Sequence, residues 1–129
     1  MMGYQIGRNL EVGIGGEDYK FKLEQRVDGF NGDSKIVTLN LFLISRKGAL
    51  YSTAEKLGFI ELGDKLYVIK GEGLMNIDEK KKKLIKSIQI NVGSQVEAIK
   101  VKMGIKTEIT IEGKYIDSVE MDGVLILGE

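Results

Sequence analysis

The chain contains no cysteine, no histidine, no proline and no tryptophan. The first two absences remove the most chemistry: without them there is no disulfide, no thiolate zinc site, no histidine-ligated catalytic metal, no Cys–His pair and no Ser-His-Asp triad. Acid–base or nucleophilic work would fall to carboxylates, Lys, Arg, Tyr and Ser/Thr. The 19 Asp and Glu residues are spread through turns and alternating segments, and no spacing singles out a pair able to work across a cleft. No catalytic residue, metal ligand or cofactor is expected.

Net charge is lacking too. Lys and Arg together number 19 and match the acidic residues, so no global field draws nucleic acid, an anionic membrane or an acidic substrate. Long apolar runs are missing: the densest, Leu41-Phe42-Leu43-Ile44, is far too short to span a bilayer. Met1-Met2-Gly3-Tyr4 does not read as a basic segment followed by an apolar one. These features set the expectation of no membrane partner and of a cytoplasmic protein, or one belonging to a particle assembled in the cytoplasm.

With proline absent, turns must be built by the 17 glycines and by Asn, Asp and Ser. What the sequence does contain is alternation. From Ile99 to Ile111 every odd position is apolar or β-branched, while Lys100, Lys102, Gly104, Lys106, Glu108 and Thr110 fill the even ones. A period of two means an extended ribbon with one buried and one wet face, here unusually long, over Glu97-Glu112. A two-residue hairpin at Met103-Gly104 would mix the two faces. The segment is therefore one strand bent or bulged at Gly104, or it folds back through Met103 to Ile105.

Tyr19, Phe21, Leu23 and Val27 alternate with charged residues and predict a strand ending at the turn-rich Asp28-Gly29-Phe30-Asn31-Gly32-Asp33. Its return strand, Ile36 to Ile44, is apolar at both parities and belongs at the centre of a sheet or between two layers. Phe21, Leu23, Val37, Leu39, Leu41 and Leu43 are the predicted core. Gly63-Asp64 suits a type II′ turn, pairing Leu62 with Lys65 and Ile60 with Tyr67. Asp122-Gly123 suits type I′ and would pair Met121 with Val124.

Helix signals are sparse. Ser52 with Glu55 forms a capping box and Gly58 a stop, leaving about one turn around Thr53 to Leu57. Asn76 to Ser87 fits either a helix or a strand leaving a charged turn, and the alternation of Leu84, Ile88, Ile90 and Val92 favours the strand. One β-rich domain over residues 1–129 is expected: an antiparallel sandwich or barrel-like sheet with at most one or two short helices.

Binding motifs are weak throughout. The glycines of Val12 to Gly16 are followed by Glu17-Asp18, which would repel phosphate, and the P-loop lysine is missing. Asp28, Asn31 and Asp33 do not follow the EF-hand spacing. Tyr19 and Phe21 project away from Lys20 and Lys22, so they do not grip one nucleotide. Asn40, in the most apolar strand, needs a hydrogen-bond partner.

Two readings follow. The leading one is a non-enzymatic structural or interaction module that assembles as a homo-oligomer or with neighbouring subunits of a particle, a virion or tail-like component being the concrete form. Its motive is the long ribbon, the lack of edge-guarding proline and the apolar terminal strand. Ile105, Ile109, Ile111, Val124, Leu125, Ile126 and Leu127 are the expected assembly edge. The alternative is a small barrel that binds nucleic acid or another ligand through Lys35, Arg46, Lys47, Lys80, Lys81, Lys82 and Lys83. Asp78 and Glu79 offset the lysine run, so a solvated turn is favoured there and nucleic acid ranks second.

Overall fold

The computed structural model describes residues 4–52, 55–78 and 81–128. Among them are nine strands and no helix: β1 (Gln5–Gly7), β2 (Asn9–Gly13), β3 (Tyr19–Asn31), β4 (Ser34–Ser45), β5 (Glu55–Leu62), β6 (Lys65–Glu72), β7 (Lys82–Gly93), β8 (Ala98–Ile111) and β9 (Lys114–Ile126). They form a five-stranded sheet ordered β1-β9-β8-β5-β6 and a four-stranded sheet ordered β2-β3-β4-β7. The two pack together as a sandwich.

Parity builds the core. Tyr19, Phe21 and Leu23 of β3 and Val37, Leu39, Leu41 and Leu43 of β4 are buried from the smaller sheet. They meet Ile60, Ile69, Val101, Met103, Ile105, Met121 and Leu125 from the larger. Each large apolar side chain removed from water stabilises by about 1.5–3 kcal/mol, so these alternating positions hold the layers together. The six predicted core residues are all buried. β4 lies between β3 and β7, and its even positions form the outer face, where Ser87 Oγ donates to Asn40 Oδ1 at 2.6 Å.

The β5–β6 register pairs Leu62 with Lys65 and Ile60 with Tyr67, as the Gly63-Asp64 turn predicts. From Lys82 onward the ambiguous segment is strand β7, as favoured, while Glu79 and Lys80 lie outside the described residues. Four local expectations need correction. First, β3 does not stop at Asp28. It runs on to Asn31, with a bulge between Val27 and Gly29, because Arg26 Nε and the Thr38 hydroxyl both donate to the Asp28 carboxylate and hold it beside the sheet.

Second, Gly104 is neither a turn nor a bulge. It lies on the outer face opposite Phe59, and a Cβ there would sit 2.8 Å from Phe59 Cε1, so the missing side chain makes room for the ring. The bulge comes later, where the register steps from Lys106↔Ser118 to Ile109↔Ile116, Glu108 takes φ 44°, and buried Thr107 donates to the Ile116 carbonyl at 2.7 Å. The ribbon then turns at Glu112-Gly113, both at positive φ, between paired Ile111 and Lys114.

Third, Asp122-Gly123 does not turn. β9 continues through it, and Gly123 sits between Val101 of β8 and Gln5 of the parallel strand β1. A Cβ at this glycine would lie 2.3 Å from the Gln5 carbonyl oxygen, so close strand approach and not turn geometry explains the residue. Fourth, the capping box does not start a helix: Glu55 opens β5, and Thr53 and Ala54 lie outside the described residues. One isolated helical turn is marginal, whereas Lys56, Gly58, Ile60 and Leu62 alternate into the interior.

Candidate assembly surfaces

The basic residues do not form one open patch. Lys35 points inward at the start of β4 and is 7% exposed. Lys47 pairs with Glu112 and, at 3.9 Å, with Asp18; the Glu112 carboxylate raises its pKa. Arg46 is exposed, on the loop after β4. Lys80 lies outside the described residues.

The remaining lysines are already engaged. Lys81 faces Asp78 at 3.5 Å, and Lys83 Nζ donates to the Gly73 carbonyl at 3.0 Å. Lys82 donates to Glu24 at 2.9 Å and lies 4.0 Å from the Phe42 ring centroid. Partial burial raises the Glu24 pKa, but Lys82 and Lys22 outweigh it and hold the carboxyl below its ordinary range. Such pairs leave little free positive charge for phosphate.

The expected apolar edge is divided by the structure and needs correction in part: Ile109 and Ile111 lie beyond the stretch of β8 that pairs with β5. Ile105 lies in the core on β8, which has β5 on one side and β9 on the other. Val124 and Leu125 are covered by β1 on the side away from β8. Leu127 is buried, and its N–H donates to the Glu97 carbonyl at 2.9 Å. Ile109, Ile111 and Ile126 are half-buried, the first two against the core. Gly123 to Leu125 of the terminal strand are internal to the sheet, paired on both sides.

The long open edges lie on the other side of the sandwich. β6 ends the larger sheet and β7 the smaller. Hydrogen-bond phase identifies the groups β7 leaves unpaired. The two-residue turn at Gly32-Asp33 makes Asn31 and Ser34 a mutually bonded pair, so Lys35, Val37 and Leu39 direct their backbone groups towards β7. Their partners there are Val92, Ile90 and Ile88. The N–H and C=O groups of Ser87, Gln89 and Asn91 and the N–H of Gly93 consequently point away from the sheet, while the Gly93 carbonyl accepts from Val96 N–H at 3.0 Å.

This half of β7 has none of the usual edge guards. Ser87-Ile88-Gln89-Ile90-Asn91-Val92-Gly93 contains no charge and no proline, and its bulge falls earlier, near Ile85. Beside it runs a groove of about 400 Å³ whose lining includes Ile90, Val92, Tyr67, Leu62 and Ile99.

A second surface lies on the outer face of the larger sheet. Leu57, Leu66 and Val68 are 53%, 62% and 55% exposed around Phe59, and a shallow groove beside them is bounded by Lys106 and Glu120. Neither surface was visible in the sequence, because alternation gives parity but not strand order. Among the described residues no group of three acidic side chains is placed to hold a metal ion, and no helix is long and apolar enough to cross a membrane. No protein-family model and no curated protein matches the chain.

Proposed function

We propose that this chain is a non-enzymatic structural subunit that associates with copies of itself through its open sheet edges. The observation that carries the reading is the uncharged, proline-free stretch Ser87 to Gly93, which ends the smaller sheet with the outward backbone groups of Ser87, Gln89 and Asn91 unpaired. Added strands satisfy such groups, and neighbouring apolar side chains are buried with them. The exposed Leu57, Leu66 and Val68 support the same reading, since a contiguous apolar patch favours protein contact. A tube, shell or coat, such as a virion or tail-like particle, is the concrete form in which such a sandwich would repeat.

Light scattering over a wide concentration range tests this. The expected result is a mass that is a multiple of the 14.3 kDa chain and that persists at high salt. A single-chain mass at every concentration overturns the proposal. Salt-sensitive retention on nucleic acid by that monomer would favour the ligand-binding alternative.

A further inference from the structure

We infer that the joint between copies is an antiparallel β7–β7 pair about a two-fold axis at Ile90, so that two four-stranded sheets become one continuous eight-stranded sheet. This rests on the reading of edge-mediated self-association and specifies its geometry. The outward-directed backbone groups belong to odd positions, so odd must pair with odd. The register centred on Ile90 sets Ser87 opposite Gly93 and Gln89 opposite Asn91. It forms about six new backbone hydrogen bonds, two for each Gln89–Asn91 pair and one for each Ser87–Gly93 pair, whose Gly93 carbonyl already accepts from Val96 N–H.

Charge selects this arrangement. Among the described residues, the lysines of β7 and its approach lie at one end, at Lys81, Lys82, Lys83 and Lys86, while Ser87 to Gly93 is neutral. A parallel pair would stack each lysine against its own copy, at about the 4.8 Å spacing between strands. The antiparallel pair moves the two basic ends apart. It brings each towards the other copy's Ser94-Gln95-Val96-Glu97 turn, whose sole charge is negative.

Apolar packing agrees with the backbone phase. A two-fold axis perpendicular to the sheet keeps the inner faces of both copies on the same side. Ile90 then faces Ile90 of the other copy and the half-buried Val92 faces its Ile88, and the flanking grooves with Tyr67 and Ile99 come together. Ser87, Gln89 and Asn91 remain on the exposed outer face.

The test uses the intact chain. Asn91→Pro removes one outward N–H and leaves the β4–β7 bonds, and the double variant Gln89→Lys/Asn91→Lys sets like charges against each other across the axis. Each should retain the native circular dichroism spectrum and raise the self-dissociation constant at least tenfold by sedimentation. Ile90→Cys, the sole cysteine in the chain, should give a disulfide-linked dimer on mild oxidation. If Asn91→Pro disturbs the fold, the lysine pair and the disulfide still decide. Undiminished association in the lysine variant, with no cross-link through position 90, overturns this joint while leaving edge-mediated assembly standing. A wild-type protein that is monomeric throughout overturns both.

Discussion

Lys56 separates the contribution of a side-chain stem from that of its charge. Its β5 position faces the interior with Gly58, Ile60 and Leu62, and it is only 2% exposed. No hydrogen bond or ion pair joins its side chain to any described residue, while its backbone pairs with Gly71 of β6. The side chain behaves as a buried hydrocarbon stem. Lys56→Ala removes three buried methylenes, worth about 0.8 kcal/mol each and about 2.4 kcal/mol together, before any cavity term. Lys56→Met keeps an unbranched apolar chain and removes only the unpaired amine, so its stability should equal or exceed that of the wild type. For a chain of this length, 1 kcal/mol corresponds to about 4 °C in Tm, so the Ala variant should melt about 10 °C lower. Urea unfolding and thermal melts of both variants check this. A Met variant as damaged as the Ala variant would refute the reasoning, because the amine would then be the stabilising part.

Gly123→Ala places a Cβ within 2.3 Å of the Gln5 carbonyl oxygen and should detach β1. Hydrogen-exchange protection at Gln5–Gly7 should fall, with a stability loss of about 1–3 kcal/mol, and unchanged protection there would contradict the close approach. Acidification should also destabilise the fold. Arg26 and Thr38 hold the Asp28 carboxyl below its ordinary range, and Lys82 and Lys22 do the same for Glu24 against the opposing effect of partial burial. Depressed carboxyl pKa values add stability above the unfolded-state pKa, and that stability is lost as pH falls through the folded-state pKa. The urea midpoint should fall between pH 5 and about 3, and fall less in Asp28→Asn; an unchanged or rising midpoint would refute the assignment.

The sequence by itself determined which side chains face in and which face out. Side-chain direction alternates with every strand residue, so the odd positions of β3, β4 and β8 marked the core without any knowledge of their neighbours. Two-residue turns were legible only where local chemistry met no competitor. Gly63-Asp64 turns as its residues suggest, whereas Asp122-Gly123, with an equally good turn signature, is drawn straight by β8 and β1 on either side. Likewise the capping box at Ser52 and Glu55 lost to the pairing of β5 with β6 and β8, which satisfies far more backbone than one helical turn can.

Strand order was decided by the tertiary structure alone. Nothing in the apolar Val124 to Leu127 segment reveals that β1, a three-residue strand far away in sequence, covers its side, or that the polar-looking Ser87 to Gly93 is left as the open edge. The charge pairs of Lys47 and Lys82 are equally non-local: Glu112 and Glu24 reach them only once the strands are stacked. Parity is a property of one strand and can be read from one segment; an edge is the absence of a neighbour, and it exists only after every other strand has found its place.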